Sequence, residues 1–383
     1  MIVVTHPTGN AFVRGLLHGL EKEKRLARFF TTVTGRIRRC YPVPAERIET
    51  SPARELVRLA FQRFGTPLTQ HETGWASVDG VYRALDLRVA EWLKTAHGIG
   101  WAYGYEDGAL ETFRTARKLG IRRGYELPIS YWETTRRLLR EEAERLPEWE
   151  PTLGSTRDSD AKMERKREEL ELADVIICPS RFVLESIPGH ARERCVVAPF
   201  GSPVGGKVRT ARAGPLRVLF AGAMTQRKGL ADLFAAMKLL QRYDIQLQIM
   251  GRPLAAMDFY RKQYDAFQHS APRSHAMVLA LMSRCDVLVL PSIVEGSALV
   301  QLEAMSRGLP LIATRNAGGE DFIRDGESGF LVPIRAPEEI AVRLAQLAST
   351  RGLLERMSAA ARHTAAEYTW ENYAATISAA LEP

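Results

Sequence analysis

Two glutamates flank the predicted start of a helix in the C-terminal half of the chain. The apolar run at 287–290 is typical of a strand in a covered parallel sheet, and Gly296 interrupts regular structure after it. A helix is then predicted from near Ser297 to 307. The free amides at its start can bind a phosphate, and the Glu303 side chain leans back toward that end. Because Glu295 lies in the loop before the helix, the pattern predicts an anion site between two carboxylates that accept hydrogen bonds from sugar or ribose hydroxyls.

The residues around these glutamates support a more specific interpretation. Segment 291–310 reads P-S-I-V-E-G-S-A-L-V-Q-L-E-A-M-S-R-G-L-P. It resembles the donor half of the family four retaining glycosyltransferases, whose pattern is P-S-x-x-E-G-x-x-L-x-x-L-E-A-M-x-x-G-x-P. Segments 313–320 and 325–333 resemble the next parts of the same family, and the resemblance is specific over residues 216–375. It implies an α/β protein of GT-B architecture, in which two Rossmann-like parallel-sheet domains face a central cleft.

The resemblance also implies roles for residues of the donor half. Lys228 fits the family lysine that precedes a glycine and contacts the nucleotide diphosphate. Many members carry an arginine where this chain has Ala223, and Arg227 is expected to replace it. Fixed cations of this kind stabilise the charge that develops on a departing phosphate. Together with these two cations, Glu295 is assigned to catalysis because it would position the donor sugar, and Glu303 would hold the ribose. The other predicted donor contacts are Gly222, Gly296, Ser297, Ala298 and Leu299.

Candidates on the acceptor side lie in the N-terminal half. Gly9 resembles the family's glycine loop that approaches the donor phosphate, although a tight turn also explains this glycine. Members usually place a histidine at the end of a middle strand, and the matching place here holds Tyr105, followed by Glu106 and Asp107. The ends of such strands bind ligands in α/β sheets, yet Asp107 before a glycine is also an ordinary turn residue. The acceptor-side chemistry is therefore left open.

Two histidines have open roles as well. His6 follows the first strand, and a structural role explains it as well as a functional one. His275 is expected in a loop before a helix near Met277, where a surface position is favoured over contact with the nucleotide base.

The order of the predicted elements divides the chain into two domains. Strands alternate with helices at both ends, as in parallel sheets with crossover connections. A first, acceptor-binding domain is predicted over 1–205, joined by the last helix at 370–383, and a nucleotide-sugar-binding domain over 206–369. First-domain strands are expected at 2–5, 29–33, 99–105 and 175–177, and second-domain strands at 216–221, 245–250, 287–290, 311–313 and 330–332.

Composition limits the class and location of the protein. The chain has 383 residues, of which 45% are hydrophobic, so it can bury a full core. Its first residues lack a basic region followed by a long apolar stretch, and no run approaches the length that spans a bilayer. The four cysteines are scattered without zinc or redox spacing. We therefore expect a cytoplasmic protein.

The net charge of +8 is concentrated in one segment, and its basic residues are Lys22, Lys24, Arg25, Arg28, Arg36, Arg38 and Arg39. A solvated helix face explains this segment best, but it could also meet a phosphorylated acceptor or an anionic membrane at its inner face. Because no nucleic-acid-binding module accompanies it, no nucleic-acid partner is expected.

The predicted function is transfer of a sugar from a nucleotide-sugar donor, with retention, to a glycan, a lipid-linked or a small-molecule acceptor. No cofactor or metal is expected. Asp158 and Asp160 have the spacing of a metal-binding aspartate pair, but helix capping or exposure explains them better. Phosphorylases and sugar-nucleotide epimerases share the fold, and a non-catalytic nucleotide-sugar-binding protein is a further alternative.

Overall fold

The computed structural model describes residues 1–35, 40–62, 64, 66–154, 158–206, 214–242, 244–271 and 274–382. Seven strands form the first sheet: β1 (Ile2–Thr5), β2 (Leu26–Thr31), β3 (Ile48–Thr50), β4 (Trp101–Tyr105), β5 (Arg122–Glu126), β6 (Val175–Cys178) and β7 (Cys195–Val197). The helices within this part of the chain are α1 (Ala11–Lys22), α2 (Ala53–Phe61), α3 (Val78–Leu93), α4 (Leu110–Lys118), α5 (Trp132–Arg145), α6 (Asp160–Leu172) and α7 (Arg181–Ser186).

The second sheet has six strands: β8 (Leu216–Ala221), β9 (Ile245–Met250), β10 (Phe267–Ser270), β11 (Val287–Leu290), β12 (Leu311–Thr314) and β13 (Gly329–Val332). Its helices are α8 (Leu230–Leu240), α9 (Met257–Gln263), α10 (His275–Met282), α11 (Leu299–Ser306), α12 (Pro337–Ser349) and α13 (Arg351–Glu367). A last helix, α14 (Trp370–Ala380), follows. Among the helices that the structure describes, none is long and apolar enough to cross a membrane.

Both sheets are parallel, and each reverses its strand order once. The orders are β3-β2-β1-β4-β5-β6-β7 and β10-β9-β8-β11-β12-β13. The reversals lie between β1 and β4 in one sheet and between β8 and β11 in the other. In open α/β sheets, ligands bind outside the carboxyl ends of the strands at such a reversal. The loops that follow these four strands are therefore the places to look for a site.

Local sequence explains why these elements form. The strands next to the reversals are apolar on both faces, as in β11, whose four residues are all buried. Helix α1 buries Phe12, Val13, Leu16, Leu17 and Leu20, which recur at helical spacing and pack on the first sheet. The buried faces of both sheets thus supply the cores on which the loops stand.

Several predicted bounds are wrong by one to three residues. The strand expected at 29–33 is Leu26–Thr31, and the strand expected at 99–105 begins at Trp101. The helix expected from Ser297 to 307 is Leu299–Ser306. His275 is the first residue of α10 instead of a loop residue. Strands β3, β5 and β10 were not predicted, because polar residues in them mask the apolar pattern. Strand β7 has only three residues and was not predicted either.

The last helix packs on the first domain. A Cβ added to Gly19 of α1 would lie 2.5 Å from the Cβ of Ala374, so α14 approaches α1 closely only because this residue is glycine. Arg25 donates to the carbonyl oxygens of Ser378 at 2.8 Å and Leu381 at 2.5 Å. The boundary predicted between residues 205 and 206 falls in the connection between the two sheets and stays a prediction, since residues 207–213 lie outside the described part.

Candidate active site

The loop after β8 folds a lysine back over a glycine. Residues Gln226–Lys228 form one turn of 3-10 helix, and Gly229 leaves it with a φ of 74°. A Cβ at Gly222 would lie 2.7 Å from the Cδ of Lys228, and Gly222 itself has a φ of 148°. Only glycine fits both the backbone angle and the lysine stem at that point. The loop therefore presents the Lys228 ammonium at the carboxyl end of β8.

Glu295 binds both expected cations. Its Oε1 accepts a hydrogen bond from Arg227 Nη1 at 3.0 Å, and its Oε2 accepts one from Lys228 Nζ at 2.5 Å. Burial alone raises the pKa of Glu295, but the charges of Arg227 and Lys228 outweigh it and lower the pKa to about 2. The structure thus brings together the three residues assigned to catalysis, with two positive charges against one buried carboxylate.

The α11 helix starts two residues later than expected, with Ala298 as its N-cap and Leu299 as its first helical residue. Its first N–H groups have no acceptor within the helix, so they remain available to an anion. Leu299 packs against the core of the first domain, next to the cluster that contains Phe12 and Phe200. The start of the helix therefore lies at the meeting point of the two domains.

Gly296 contacts the first domain. Its carbonyl oxygen accepts a hydrogen bond from Ser180 Oγ at 2.7 Å, and it forms an isolated β-bridge with Ile129. A Cβ at this position would lie 1.8 Å from the carbonyl oxygen of Pro128, so any side chain would force the two segments apart. Sequence reasoning assigned Gly296 to donor binding, and the structure gives it a domain contact that the sequence did not reveal. Ser297, 8% exposed, follows directly.

Glu303 lies on α11 facing His275. Its Oε1 is 2.9 Å from His275 Nε2, and the glutamate side chain is 19% exposed against 60% for the histidine. The surface position expected for His275 is therefore correct. Its pairing with Glu303 was missed, since the two residues are 28 positions apart and no local pattern links them. The carboxylate retains one oxygen for a ligand hydroxyl.

On the first domain, His6 and Tyr105 lie together at the carboxyl ends of β1 and β4. Their ring centroids are 4.3 Å apart, and His6 is fully buried. His6 Nδ1 contacts the backbone of Thr8, while Nε2 has no partner among the described residues. Burial lowers the pKa of His6 to about 3, against an opposing hydrogen bond from Thr8, so the ring is neutral at physiological pH. A histidine therefore lies next to Tyr105, at the end of the neighbouring strand β1.

Gly9, in the loop after His6, has space for a side chain. A Cβ there would meet only Tyr41 Oη at 3.6 Å and Cys40 Sγ at 3.7 Å, which are ordinary contacts. The position does not need a glycine for packing, and its role toward a phosphate stays a prediction.

Glu106 and Asp107 do not point into an open cleft as acceptor-side candidates should. Glu106 is 5% exposed and accepts a hydrogen bond from Lys166 Nζ at 2.7 Å. An Asp107 carboxylate oxygen lies 3.3 Å from the same ammonium. Asp107 has a φ of 67° and its N–H donates to Glu169 Oε2, in agreement with the turn alternative. Burial raises the pKa of Glu106 despite Lys166, so these carboxylates form a buried ionic cluster with α6.

A small cavity of about 70 Å³ adjoins this cluster. It is lined by Glu106, Ile129, Ser130, Trp132 and Lys166, among others. Trp132 Nε1 is a buried donor atom with no partner in the described part of the chain. Because Ile129 bridges to Gly296, the cavity lies next to the loop that carries Glu295.

The aspartate pair belongs to the start of α6. Ser159 caps the helix by accepting from the Lys162 N–H, and Asp160 is 96% exposed. Asp158 Oδ1 lies 2.9 Å from His71 Nε2 and 3.4 Å from Lys162 Nζ. The exposure expected for the pair holds for Asp160, whereas the helix is capped by Ser159 and not by either aspartate, because Asp158 pairs with His71 and Lys162. His71, Glu72 and Asp158 offer three ligand atoms within 4.8 Å of one another, and Asp158 also pairs with the Lys162 ammonium at 3.4 Å.

The basic segment is only partly described, because Arg36, Arg38 and Arg39 lie outside the described residues. Arg28 donates to the carbonyl oxygen of Glu46 at 2.6 Å, and Arg25 is engaged by α14. Two of the four described basic residues therefore have partners within the chain.

Comparison with known proteins agrees with this geometry. Residues 207–364 match the family model described as Glycosyl transferases group 1. A D-inositol 3-phosphate glycosyltransferase of Streptomyces bingchenggensis is 30% identical over 206 residues, which are 54% of this chain and 36% of that protein. The match covers 44% and 41% of two other relatives of that name, so the chain spans less than half of the length of these curated relatives.

Solved structures resemble the whole chain. Sucrose-phosphate synthase from Thermosynechococcus elongatus has a TM-score of 0.71 at 16% identity, covering 99% of this chain and 97% of that one. Anabaena HepE in complex with UDP has a TM-score of 0.64 at 15% identity, covering 99% and 98%. At such identities the likeness shows the fold alone. The expected family resemblance and fold are confirmed: the chain has a GT-B architecture, and its residues 207–364 match the glycosyl transferases group 1 family.

Proposed function

We propose that the chain is a metal-independent, retaining glycosyltransferase that moves a sugar from a nucleotide-sugar to a hydroxyl of an acceptor. The observation that supports this most is the pairing of Arg227 and Lys228 with Glu295, beside the start of α11 and at the strand-order reversal of the second sheet. Two fixed cations and the helix amides suit the diphosphate of a leaving nucleotide. HepE of the same fold is solved with UDP, so UDP-sugars are the first donors to test.

In the proposed reaction, the donor diphosphate lies between the Lys228 ammonium and the amides of Ala298 and Leu299. Glu295 orients Lys228 and Arg227 and accepts hydrogen bonds from the donor sugar, while Glu303 accepts one from the ribose. The departing phosphate takes the proton of the acceptor hydroxyl on the face from which it leaves, as the family resemblance implies. The acceptor enters from the first-domain side, between the His6–Tyr105 pair and the cavity beside Ile129.

A binding screen followed by a turnover assay tests this proposal. Thermal shift is measured with UDP, GDP and ADP and with their glucose conjugates, and the donor that stabilises the protein is then incubated with a panel of glycans, polyols and lipid-linked acceptors. We expect release of nucleoside diphosphate only when an acceptor is present, and an α-linked product by NMR from an α-linked donor. An inverted product would refute retention.

The alternatives give different results in the same assay. A sugar-nucleotide epimerase releases nucleotide or an isomerised donor without acceptor, and a phosphorylase requires inorganic phosphate. A non-catalytic binding protein binds the donor without turnover across the panel. The buried pairing of Glu106 and Asp107 with α6 fits this last alternative, because it leaves fewer free carboxylates on the acceptor side.

We propose a cytoplasmic location, with peripheral contact to an anionic membrane through Lys22, Lys24 and the basic residues that follow. Each basic residue near an anionic membrane surface contributes about 1 kcal/mol to the free energy of membrane binding, and this contribution weakens with salt. Sedimentation with phosphatidylserine vesicles and with neutral vesicles at low salt tests the contact, and equal binding to both would exclude it.

A further inference from the structure

A stretch of the first domain is built into the second domain. Residues 132–153, here called the strap, comprise α5 and the 3-10 helix Pro147–Thr152, and they lie in sequence between β5 and β6 of the first sheet. Trp149 of the strap is 1% exposed and belongs to the core of the second domain. Its ring centroid is 4.9 Å from that of Phe259 and 5.8 Å from that of Tyr260. The strap therefore docks on the second domain through a large aromatic anchor.

The strap holds the two residues that precede Arg227. Thr225 Oγ1 donates to the carbonyl oxygen of Thr152 at 2.7 Å, and the Gln226 N–H donates to Thr152 Oγ1 at 3.2 Å. Both Thr225 and Gln226 are almost fully buried. Thr152, a residue of the first domain, therefore holds the start of the turn that carries Arg227 and Lys228.

A buried carboxylate of α5 holds the Gln226 side chain. Gln226 Nε2 donates to Glu142 Oε2 at 2.8 Å and to Asp232 Oδ2 at 2.8 Å, while its Oε1 accepts from the Ala231 N–H at 2.8 Å. Since carboxylates only accept, the orientation of the amide is set, and both its nitrogen and its oxygen have partners. A rotation of this side chain would leave buried polar atoms without partners.

The Glu142 carboxylate is charged and fully buried. Arg145 Nη2 donates to it at 2.7 Å, and Arg335 Nε, from the loop after β13, donates to its other oxygen. Burial raises the pKa of Glu142, but hydrogen bonds from Arg145, Gln226 and Arg335 lower it below its usual value. Removing this charge from a site that keeps two guanidinium groups disturbs the contacts around it.

We propose that Glu142 is a positioning residue, which holds Gln226 and through it sets Arg227 and Lys228 in their diphosphate-binding arrangement. The donor loop is then ordered only while the strap is docked, and the first domain controls donor binding through a residue that does not touch the donor. This inference rests on the proposed function for its catalytic meaning, whereas the ordering of the loop is independent of it.

The ordering is tested without any ligand, by hydrogen exchange of the loop amides at 222–229. Glu142→Gln keeps the shape and removes the charge, and we expect exchange of this loop to accelerate about tenfold, as loss of a coupled contact can produce. Glu141→Gln is the matched control, because Glu141 lies next in the helix, pairs with Arg137 and Arg335, and has no contact with Gln226. Equal exchange in both variants would overturn the inference.

A double-mutant cycle tests whether Glu142 acts through the cations. Binding of inorganic pyrophosphate and of UDP is measured by calorimetry for the full chain, Glu142→Gln, Lys228→Ala and the double variant. We expect Glu142→Gln to weaken binding about tenfold in the wild-type background and less than twofold in the Lys228→Ala background. Additive losses would refute the positioning role, since a general loss of stability adds to the loss of Lys228.

If Glu142→Gln does not fold, Gln226→Met replaces it, because this change removes the link from the loop side and leaves Glu142 with its arginines. The same acceleration and the same non-additivity are expected, and their absence would overturn the inference. If the wild-type chain binds none of UDP, GDP, ADP and pyrophosphate, the proposed function is wrong. The hydrogen-exchange experiment still decides whether Glu142 orders the loop, because it needs no ligand.

Discussion

Lys228 and Arg227 share one largely buried carboxylate, so only one of their two positive charges is compensated by it. A bound diphosphate would add acceptors to the same two cations. Because Glu295 stays ionised down to very low pH, it keeps both side chains extended toward the site instead of toward solvent. The carboxylate thus prepares the cations, and its removal should affect them together.

Lys228→Ala should lower turnover by roughly a hundredfold to a thousandfold, as loss of one preorganised charge stabiliser does. Steady-state kinetics with the identified donor measure the effect. Lys238→Ala, at an exposed position on α8, is the matched control and should leave kcat unchanged. A folded Lys228→Ala protein with wild-type turnover would remove this lysine from the site.

Glu303→Ala should mainly raise KM for the donor and leave kcat nearly unchanged, because a ribose contact is made equally in the ground and transition states. Isothermal titration with the free nucleoside diphosphate checks the same assignment without chemistry. Glu355→Ala, an exposed glutamate of α13, serves as control. Affinity equal to that of the wild type would contradict the ribose role.

Secondary-structure elements with a clear local sequence pattern were predicted correctly. The strands β8, β9 and β11 have the predicted bounds, since each has a clear apolar pattern next to a glycine or proline break. The candidates Lys228, Arg227 and Glu295 were predicted from a family resemblance in two local segments, and they lie in contact in the structure. Contacts between distant segments were missed, as in His275 with Glu303, because hydrogen bonds across the fold leave no period in the chain.

The acceptor side shows the same limit. Sequence alone could place Glu106 and Asp107 at a strand end, but could not reveal that Lys166, 60 residues later, would neutralise Glu106. The pairing of His6 with Tyr105 follows from the adjacency of β1 and β4, which becomes visible only once the strand order is known.

Gly296→Ala tests the contact between the Glu295 loop and the first domain. The added Cβ would lie 1.8 Å from the carbonyl oxygen of Pro128, so the loop must shift. We expect a loss of about 1–3 kcal/mol in unfolding free energy, typical of overpacking, together with weaker donor binding. Gly189→Ala, where a Cβ meets nothing within 4 Å, is the control. Denaturant titration measures the unfolding free energy of both variants. If Gly296→Ala is as stable as the wild type, the two segments are not in fixed contact.

The junction between α14 and the first sheet contains a buried acid. Tyr373 Oη donates to Glu126 Oε1 at 2.8 Å, and burial raises the pKa of Glu126 to about 7, against this hydrogen bond from Tyr373, which lowers it. Because the folded pKa lies above the unfolded value, the folded state holds a proton that the unfolded state loses first. Stability from this group is therefore full below about pH 4 and is lost as the pH rises toward 7.

Glu126→Gln should remove this pH dependence. At pH 8 the variant should unfold at a higher temperature than the wild type, and its gain in unfolding free energy should be at most about 3 kcal/mol. At pH 5 the two proteins should unfold at nearly the same temperature. Calorimetry across pH 5–8 measures the difference, and Glu111→Gln on the surface of α4 serves as control. A difference that does not depend on pH would contradict the raised pKa.

For the whole molecule, the two domains meet through short polar contacts near the reversals of strand order and through the strap. Ser180 bonds to Gly296, and Arg145 bonds to Asp232 across the same boundary. These contacts lie around the proposed diphosphate site of the second domain. In the proposed reaction, Lys228, Arg227 and the helix amides stabilise the leaving group, and this proposal leads to an expectation about metals.

We expect activity to be independent of divalent cations. Chelation with EDTA should leave the rate within about twofold, or roughly 0.4 kcal/mol in barrier. Changing both Asp158 and Asp160 to asparagine should also leave the rate within that range, because Asp160 is exposed and Asp158 pairs with His71 and Lys162. His71→Ala tests the alternative that a metal binds to His71, Glu72 and Asp158, because it removes one of these three ligands. Loss of activity with EDTA that manganese restores in the wild type but not in His71→Ala would assign a metal to that group and overturn the metal-free reaction.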